Sequence, residues 1–238
     1  MYRYMYRRRP SYAPQMSRKE IEQVALGMIR EYKPELLTEP QEVDVEDFTQ
    51  NYLKAHHDFQ HLSNNGIYLG MTVFDRSDRV VVYDREQDRA EYITEEANTI
   101  IIDKQLLVKG EEHRYRFTFG HEAGHIALPH AQFFRRQAEE RTAEQAAIAC
   151  RDIGRNMDTG IGNWSDEDWI EWQADIFASA LLMPEPAVKK ISETVEEHDR
   201  NIFGEFMQEF HKVIRISRIF NVSEQAAKIR LRRLGLIS

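Results

Sequence analysis

The spacing of apolar residues changes character twice along the chain. Ile21, Val24, Ala25, Met28 and Ile29 recur every three to four positions behind Ser17 and Glu20, a capping-box pair, and predict a helix that ends by Pro34. After Pro40, Asp44 is placed to cap a second helix running through Phe48, Tyr52 and Leu53. The pattern then lapses. His56, His57 and His61 lead into Asn64-Asn65-Gly66 and read as a polar turn, the first and last histidine being badly spaced for a shared helical metal site. Residues 67–69, 71–74, 80–83 and 98–102 are β-branched and aromatic runs, with a turn at 75–78. They predict a small, mainly antiparallel sheet of three or four strands. From about residue 112 to the end the signals are almost wholly helical, interrupted by a Gly-, Asn- and Asp-rich stretch at 158–165. The expected fold class is α+β, a sheet packed on a helical core with a helical C-terminal region.

Composition narrows the class without naming a function. The 238 residues, 42% hydrophobic and 30% charged, suit one folded domain or two small ones and argue against wholesale disorder. The net charge of -8 disfavours a broad DNA-gripping surface, but it is unevenly spread. Residues 1–19 carry +6 and residues 209–238 carry +5, which leaves the central stretch at -19. The lone Cys150 excludes an intrachain disulfide and favours a reducing, cytoplasmic setting. It lies in an Ala-rich run at 146–150 that looks helical, as a small buried hydrophobe. No apolar run reaches the roughly 20 residues needed to span a bilayer, and the basic N-terminus has no apolar stretch behind it, so neither a membrane partner nor a secretory signal is expected.

The chemistry concentrates in His121-Glu122-Ala123-Gly124-His125, an HExxH pattern. On a helix the two histidines lie one turn apart on one face, where both imidazoles reach a single tetrahedral ion. Glu122 stands beside them, able to hold a water at the metal and take its proton. Gly120 and Gly124 leave room for close backbone packing or for substrate, and Pro129 stops the helix.

A third protein ligand is required. Leu128 and Ala131 stand where a metzincin would have glycine and histidine, and His130 lies beyond the proline as a weak rival. The better source is the run from Ser165 to Pro184, a capped helix with an apolar stripe at Trp169, Trp172, Ile176, Phe177 and Ala180. Glu171 and Asp175, four apart, share its polar edge. We assign Glu171 as the ligand and Asp175 as the acceptor for the free ring N–H of a ligand histidine. Two histidines and one carboxylate leave the fourth position to water, the catalytic arrangement of Zn2+.

At this point the sequence resembles the ImmA/IrrE-type zinc metallopeptidases. The resemblance is carried by Arg116-Phe117-Thr118 ahead of HEAGH, and by Glu171-Trp-Gln-Ala-Asp175 running into Phe-Ala-Ser-Ala-Leu-Leu-Met-Pro. The third block is Phe220-Asn-Val-Ser223 with Ala226 and Arg230-Leu-Arg-Arg-Leu-Gly-Leu236. It covers roughly residues 96–238, with a fainter echo from 42 to 83. It implies a zincin-like core in which His121, His125 and Glu171 bind zinc and Glu122 is the catalytic base. It further implies a regulatory endopeptidase acting on a helix-turn-helix repressor, or a similar bacterial or phage regulatory protein, and so on transcription. The 45 residues between His125 and Glu171 exceed the family's usual gap. The implied organisation is an irregular basic arm at 1–16, a metallopeptidase domain at 17–184 with an insert at about 131–166, and a helical region at 185–238 with a helix-turn-helix-like end.

Two rival readings stand beside the peptidase. A metal-bound regulator could bind a repressor protein without cutting, or touch DNA through Lys228, Arg230, Arg232 and Arg233. Ile229, Leu231, Leu234 and Leu236 in the same run look instead like core positions, which makes DNA the lesser expectation. The metal could also be structural, against which the open fourth position weighs. Substrate identity and oligomeric state are open. So is the group that stabilises the oxyanion, for which His130, His113 and Tyr115 are nearest in sequence. A free sheet edge could hold an extended peptide by strand addition.

Overall fold

The computed structural model describes residues 13–141, 147–151, 164–199 and 205–238. Residues 1–12 of the basic arm expected at 1–16, and most of the segment between 142 and 163, lie outside them. Helix α1 (Arg18–Tyr32) begins at the anticipated Ser17–Glu20 capping box and ends just before Pro34. Asp44 caps α2 (Val45–Asp47), which loosens into a wide turn at Phe48–Tyr52.

The strands then follow as β1 (His56–Gln60), β2 (Tyr68–Val73), β3 (Ser77–Asp84), β4 (Arg89–Glu95) and β5 (Thr99–Asp103). Helices α3 (Glu112–Ala127) and α4 (His130–Arg141) precede β6 (Ala147–Arg151). The chain closes with α5 (Asp166–Leu182), α6 (Glu185–Asp199), α7 (Glu205–Phe220) and α8 (Glu224–Arg233).

The main sheet runs β1-β5-β2-β6, with β1 parallel to β5 and the other pairs antiparallel, while β3 and β4 form a separate hairpin. Strand β5 is buried on both faces, which explains its three consecutive isoleucines. Ile101 faces Met71, Val73, Val80 and Val82. Ile100 and Ile102 face Phe119 of α3, Leu182 and Met183 at the end of α5, and Phe220 and Leu231 beyond. A second core of Ile21, Ala25, Phe48, Ala123, Ile176 and Phe177 joins α1, α3 and α5.

Three local expectations are corrected. His56 and His57 lie in strand β1, not in a turn, which is confined to 64–66, and His57 turns inward to Thr49 Oγ1 (2.8 Å) and the ring of Phe119. The run around Cys150 is strand β6, because pairing to β2 overrides the helical preference of its alanines. Ile229 is exposed on α8, although Leu231 is buried. Asn221, in the left-handed region at φ 51°, makes the turn between α7 and α8.

Candidate metal centre

Helix α3 lies between the sheet and α5, and two glycines set how close α5 comes. A Cβ on Gly124 would fall 3.0 Å from Ala174 Cα and 3.2 Å from its carbonyl oxygen; one on Gly120 would sit 3.4 Å from Ala178 Cα. The small residues are therefore used for helix packing. That contact carries the polar edge of α5 to the histidine face of α3.

His121, His125 and Glu171 meet there, each offering a ligand atom within 4.8 Å of the others. The two histidine Nε2 atoms are 3.0 Å apart. Glu171 Oε2 lies 3.4 Å from the first and Oε1 3.7 Å from the second. Both histidines are buried, and the Glu171 side chain is only 17% exposed. On the far side of His121, Nδ1 lies 2.9 Å from Asp175 Oδ1. A carboxylate only accepts, so Nδ1 carries a proton, and in the neutral ring that a metal ligand must be Nε2 turns its lone pair to the cluster. A lone pair and a carboxylate converging in a buried site repel unless a cation lies between them, and two imidazoles with one carboxylate suit Zn2+. The donor set fits the metal.

Glu122, the residue after His121 on α3, is fully buried. Its Oε2 accepts from the Thr72 hydroxyl of β2 (2.6 Å), while Oε1 has no hydrogen-bond partner. Burial is the main reason its pKa is pushed up to about 7; the Thr72 hydrogen bond and His121 oppose the shift. Strand β2 comes this close because residue 70 is glycine. A Cβ there would intrude on Glu122 Oε1 and stand 2.7 Å from Thr118 Cγ2. An isolated glycine inside a strand run is a sequence signal for such an approach. Nothing in the sequence marks Thr72.

The other candidates sit elsewhere. His130 is buried behind His125, its Nδ1 2.9 Å from His125 Nδ1 and its Nε2 3.2 Å from Gln173 Oε1. Burial pushes its pKa down to about 4. With both nitrogens occupied it is neither third ligand nor a free donor for an oxyanion. The Tyr115 hydroxyl donates to Glu46 Oε1 (2.8 Å), and His113 is exposed on the first turn of α3. Strand β2, which packs on Glu122, is paired on both sides by β5 and β6, and the outer strands of the main sheet are β1 and β6.

The basic C-terminal helix is partly an internal structure. Arg230 is 1% exposed and pairs with Glu22 of α1, so it faces the core. Arg232 Nε donates to the Ser238 carbonyl (2.8 Å), and Lys228 is exposed. Among the described residues, no helix is long and apolar enough to cross a membrane.

His121-Glu122-x-x-His125 plus Glu171 thus has the metal-binding geometry of a zinc protease. No curated protein matches the chain. Residues 148–232, roughly a third of the chain, match the peptidase M78 family described as the IrrE N-terminal-like domain. The matched stretch holds Glu171 and Asp175, whereas the HExxH helix lies before it and is joined to it by packing. The match and the His121–His125–Glu171 cluster together support a zinc-dependent peptidase or regulatory role in general.

Proposed function

We propose that the protein is a cytoplasmic, regulatory zinc-dependent endopeptidase whose substrate is a helix-turn-helix repressor or a similar bacterial or phage regulatory protein. The observation that carries the reading is the convergence of His121 Nε2, His125 Nε2 and the Glu171 carboxylate in one buried cluster, with Glu122 the next residue after His121 on the same helix. The repressor as substrate class rests on the sequence resemblance, while the family match supports a peptidase or regulatory role in general. Membrane and broad DNA surfaces have less support, the latter because Arg230 is committed to Glu22.

His121, His125 and Glu171 would hold the metal, and Asp175 keeps His121 in its ligand tautomer. Zinc bound there supplies Lewis acidity, polarising a scissile carbonyl and lowering the pKa of an attacking water. Glu122 takes the proton of that water and returns it to the leaving amine. Thr72 donates to Glu122 Oε2 and so fixes the orientation of the carboxylate. Before the charge of a metal is added, burial raises the Glu122 carboxyl to about 7, toward the range in which a general base works.

The test is to incubate the purified protein with repressors encoded beside its gene, wild type against Glu122→Gln, and to resolve products by mass spectrometry. Cleavage by wild type alone is expected. Equal relief of repression by both proteins, without new termini, would replace the peptidase by a regulator that works through binding.

A further inference from the structure

We propose that His130 is a positioning residue of the metal centre: it holds His125 in the tautomer that turns a lone pair to the metal, and is itself held by Gln173 and the Pro14 carbonyl. The inference rests on the reading of His121, His125 and Glu171 as metal ligands.

The protons along this chain can be assigned from its fixed end. A backbone carbonyl only accepts, and Gln173 Nε2 lies 2.6 Å from the oxygen of Pro14, so the amide group of Gln173 must point its NH2 there. Its Oε1 then faces His130 Nε2 at 3.2 Å. An amide oxygen also only accepts, so His130 carries a proton on Nε2. A buried imidazolium with no carboxylate against it would be costly, so His130 is neutral and its Nδ1 is an acceptor. That Nδ1 lies 2.9 Å from His125 Nδ1, which must therefore donate. The proton of His125 is on Nδ1, and Nε2 faces His121 and Glu171 with its lone pair.

The two ligand histidines are thus oriented by different chemistry. Asp175, a charged acceptor with its side chain 35% exposed, serves His121. A neutral relay through fully buried His130 and Gln173 serves His125. The local sequence explains how His130 gets there. Helix α3 stops at Ala127, Leu128 is extended (φ -95°, ψ 161°), and α4 starts at His130, whose N–H donates to the Leu128 carbonyl (2.7 Å). The break around Pro129 folds residue 130 back beside residue 125, a pairing that continuous helix would not give at a separation of five. The relay ends on the N-terminal segment, where Ala13 packs with Phe133, Phe134 and Ile170. That packing anchors the Pro14 carbonyl as part of the support of the site.

Two measurements on the full chain test this. Long-range 1H–15N correlation spectra of the metal-free wild type should show His125 protonated at Nδ1 and His130 at Nε2; His125 protonated at Nε2 would overturn the proposal. Zinc affinity by chelator competition should fall about 10- to 100-fold in His130→Phe, the usual cost of losing a partner behind a metal ligand. His130→Asn, whose amide oxygen can stand near the place of Nδ1, should recover affinity to within about threefold of wild type, a rescue expected of an acceptor role. Wild-type affinity in His130→Phe, or equal loss in both variants, would overturn the role. If the Phe variant does not fold, the wild-type spectra and the Asn variant still decide. A wild type that binds no zinc refutes the metal-centre reading instead, while the spectra still report the tautomers separately.

Discussion

Replacing Arg230 by methionine should cost the protein stability rather than a surface contact. The guanidinium makes two bonds to Glu22, Nη1–Oε1 at 2.5 Å and Nη2–Oε2 at 2.9 Å, and its Nε donates to the Met183 carbonyl at 3.0 Å. It therefore ties α8 to α1 and to the end of α5, the helix that carries Glu171. Methionine fills much of the same space but leaves a carboxylate and a carbonyl without their donor. Removing one partner of a buried pair costs about 3–5 kcal/mol. The Glu22 side chain is 11% exposed, and that residual contact with water puts the loss at the low end, about 3 kcal/mol. For a chain of this length each kcal/mol moves the midpoint by about 2–4 °C, so thermal melts should drop by roughly 6–12 °C. Denaturant titrations should show the same loss. The double variant with Glu22→Gln should lose less than the two single losses together, because no charge is then left stranded. A stability within about 1 kcal/mol of wild type, accompanied by weaker DNA binding, would refute the internal ion pair and return Arg230 to the surface.

Three further outcomes follow from the packing and the charges. Gly70→Ala should destabilise by about 1–3 kcal/mol, because the new methyl meets Glu122 and Thr118, and the cost should shrink in a Glu122→Ala background; equal denaturant midpoints for wild type and Gly70→Ala would contradict the close approach. Gly124→Val should push α3 off Ala174, lowering both the melting midpoint and the zinc content of purified protein, whereas unchanged zinc would show that the helix contact does not set the ligand geometry. Burial and the neighbouring Asp58 push the Glu95 pKa up to about 7 from an ordinary 4.5, so the fold favours its neutral form. That contribution is complete below about pH 4.5 and is lost as pH rises through about 7, so wild type should weaken across this window relative to Glu95→Gln; parallel stability curves would refute it.

How much of this could be read from the sequence depended on whether the signal was local. Ser17–Glu20 and Ser165 announce helix starts, and Glu171 and Asp175 are four apart on one helix, so their shared edge follows from helical period alone. The α+β class followed from the change of period. Strand β1 was hidden because its partner, β5, lies some forty residues away and pairs in parallel, while its own histidines are polar. Strand β6 was hidden because an Ala-rich run takes its conformation from β2 rather than from propensity. The sequence marks His130 only as lying beyond Pro129, and nothing local shows that the break there folds it back beside His125. The relay from Gln173 to Pro14 spans 159 residues, and Thr72 reaches Glu122 across 50; neither separation leaves a periodic trace.

The central claim is that His121, His125 and Glu171 form one metal site. Elemental analysis of protein purified without chelators tests it most directly, on wild type, His121→Ala, Glu171→Ala and Glu122→Gln, with folding checked by circular dichroism. One zinc per chain is expected in wild type and in Glu122→Gln, with loss of the metal in the two ligand variants. Wild-type protein without metal, or Glu171→Ala that keeps a full zinc complement, would contradict the account.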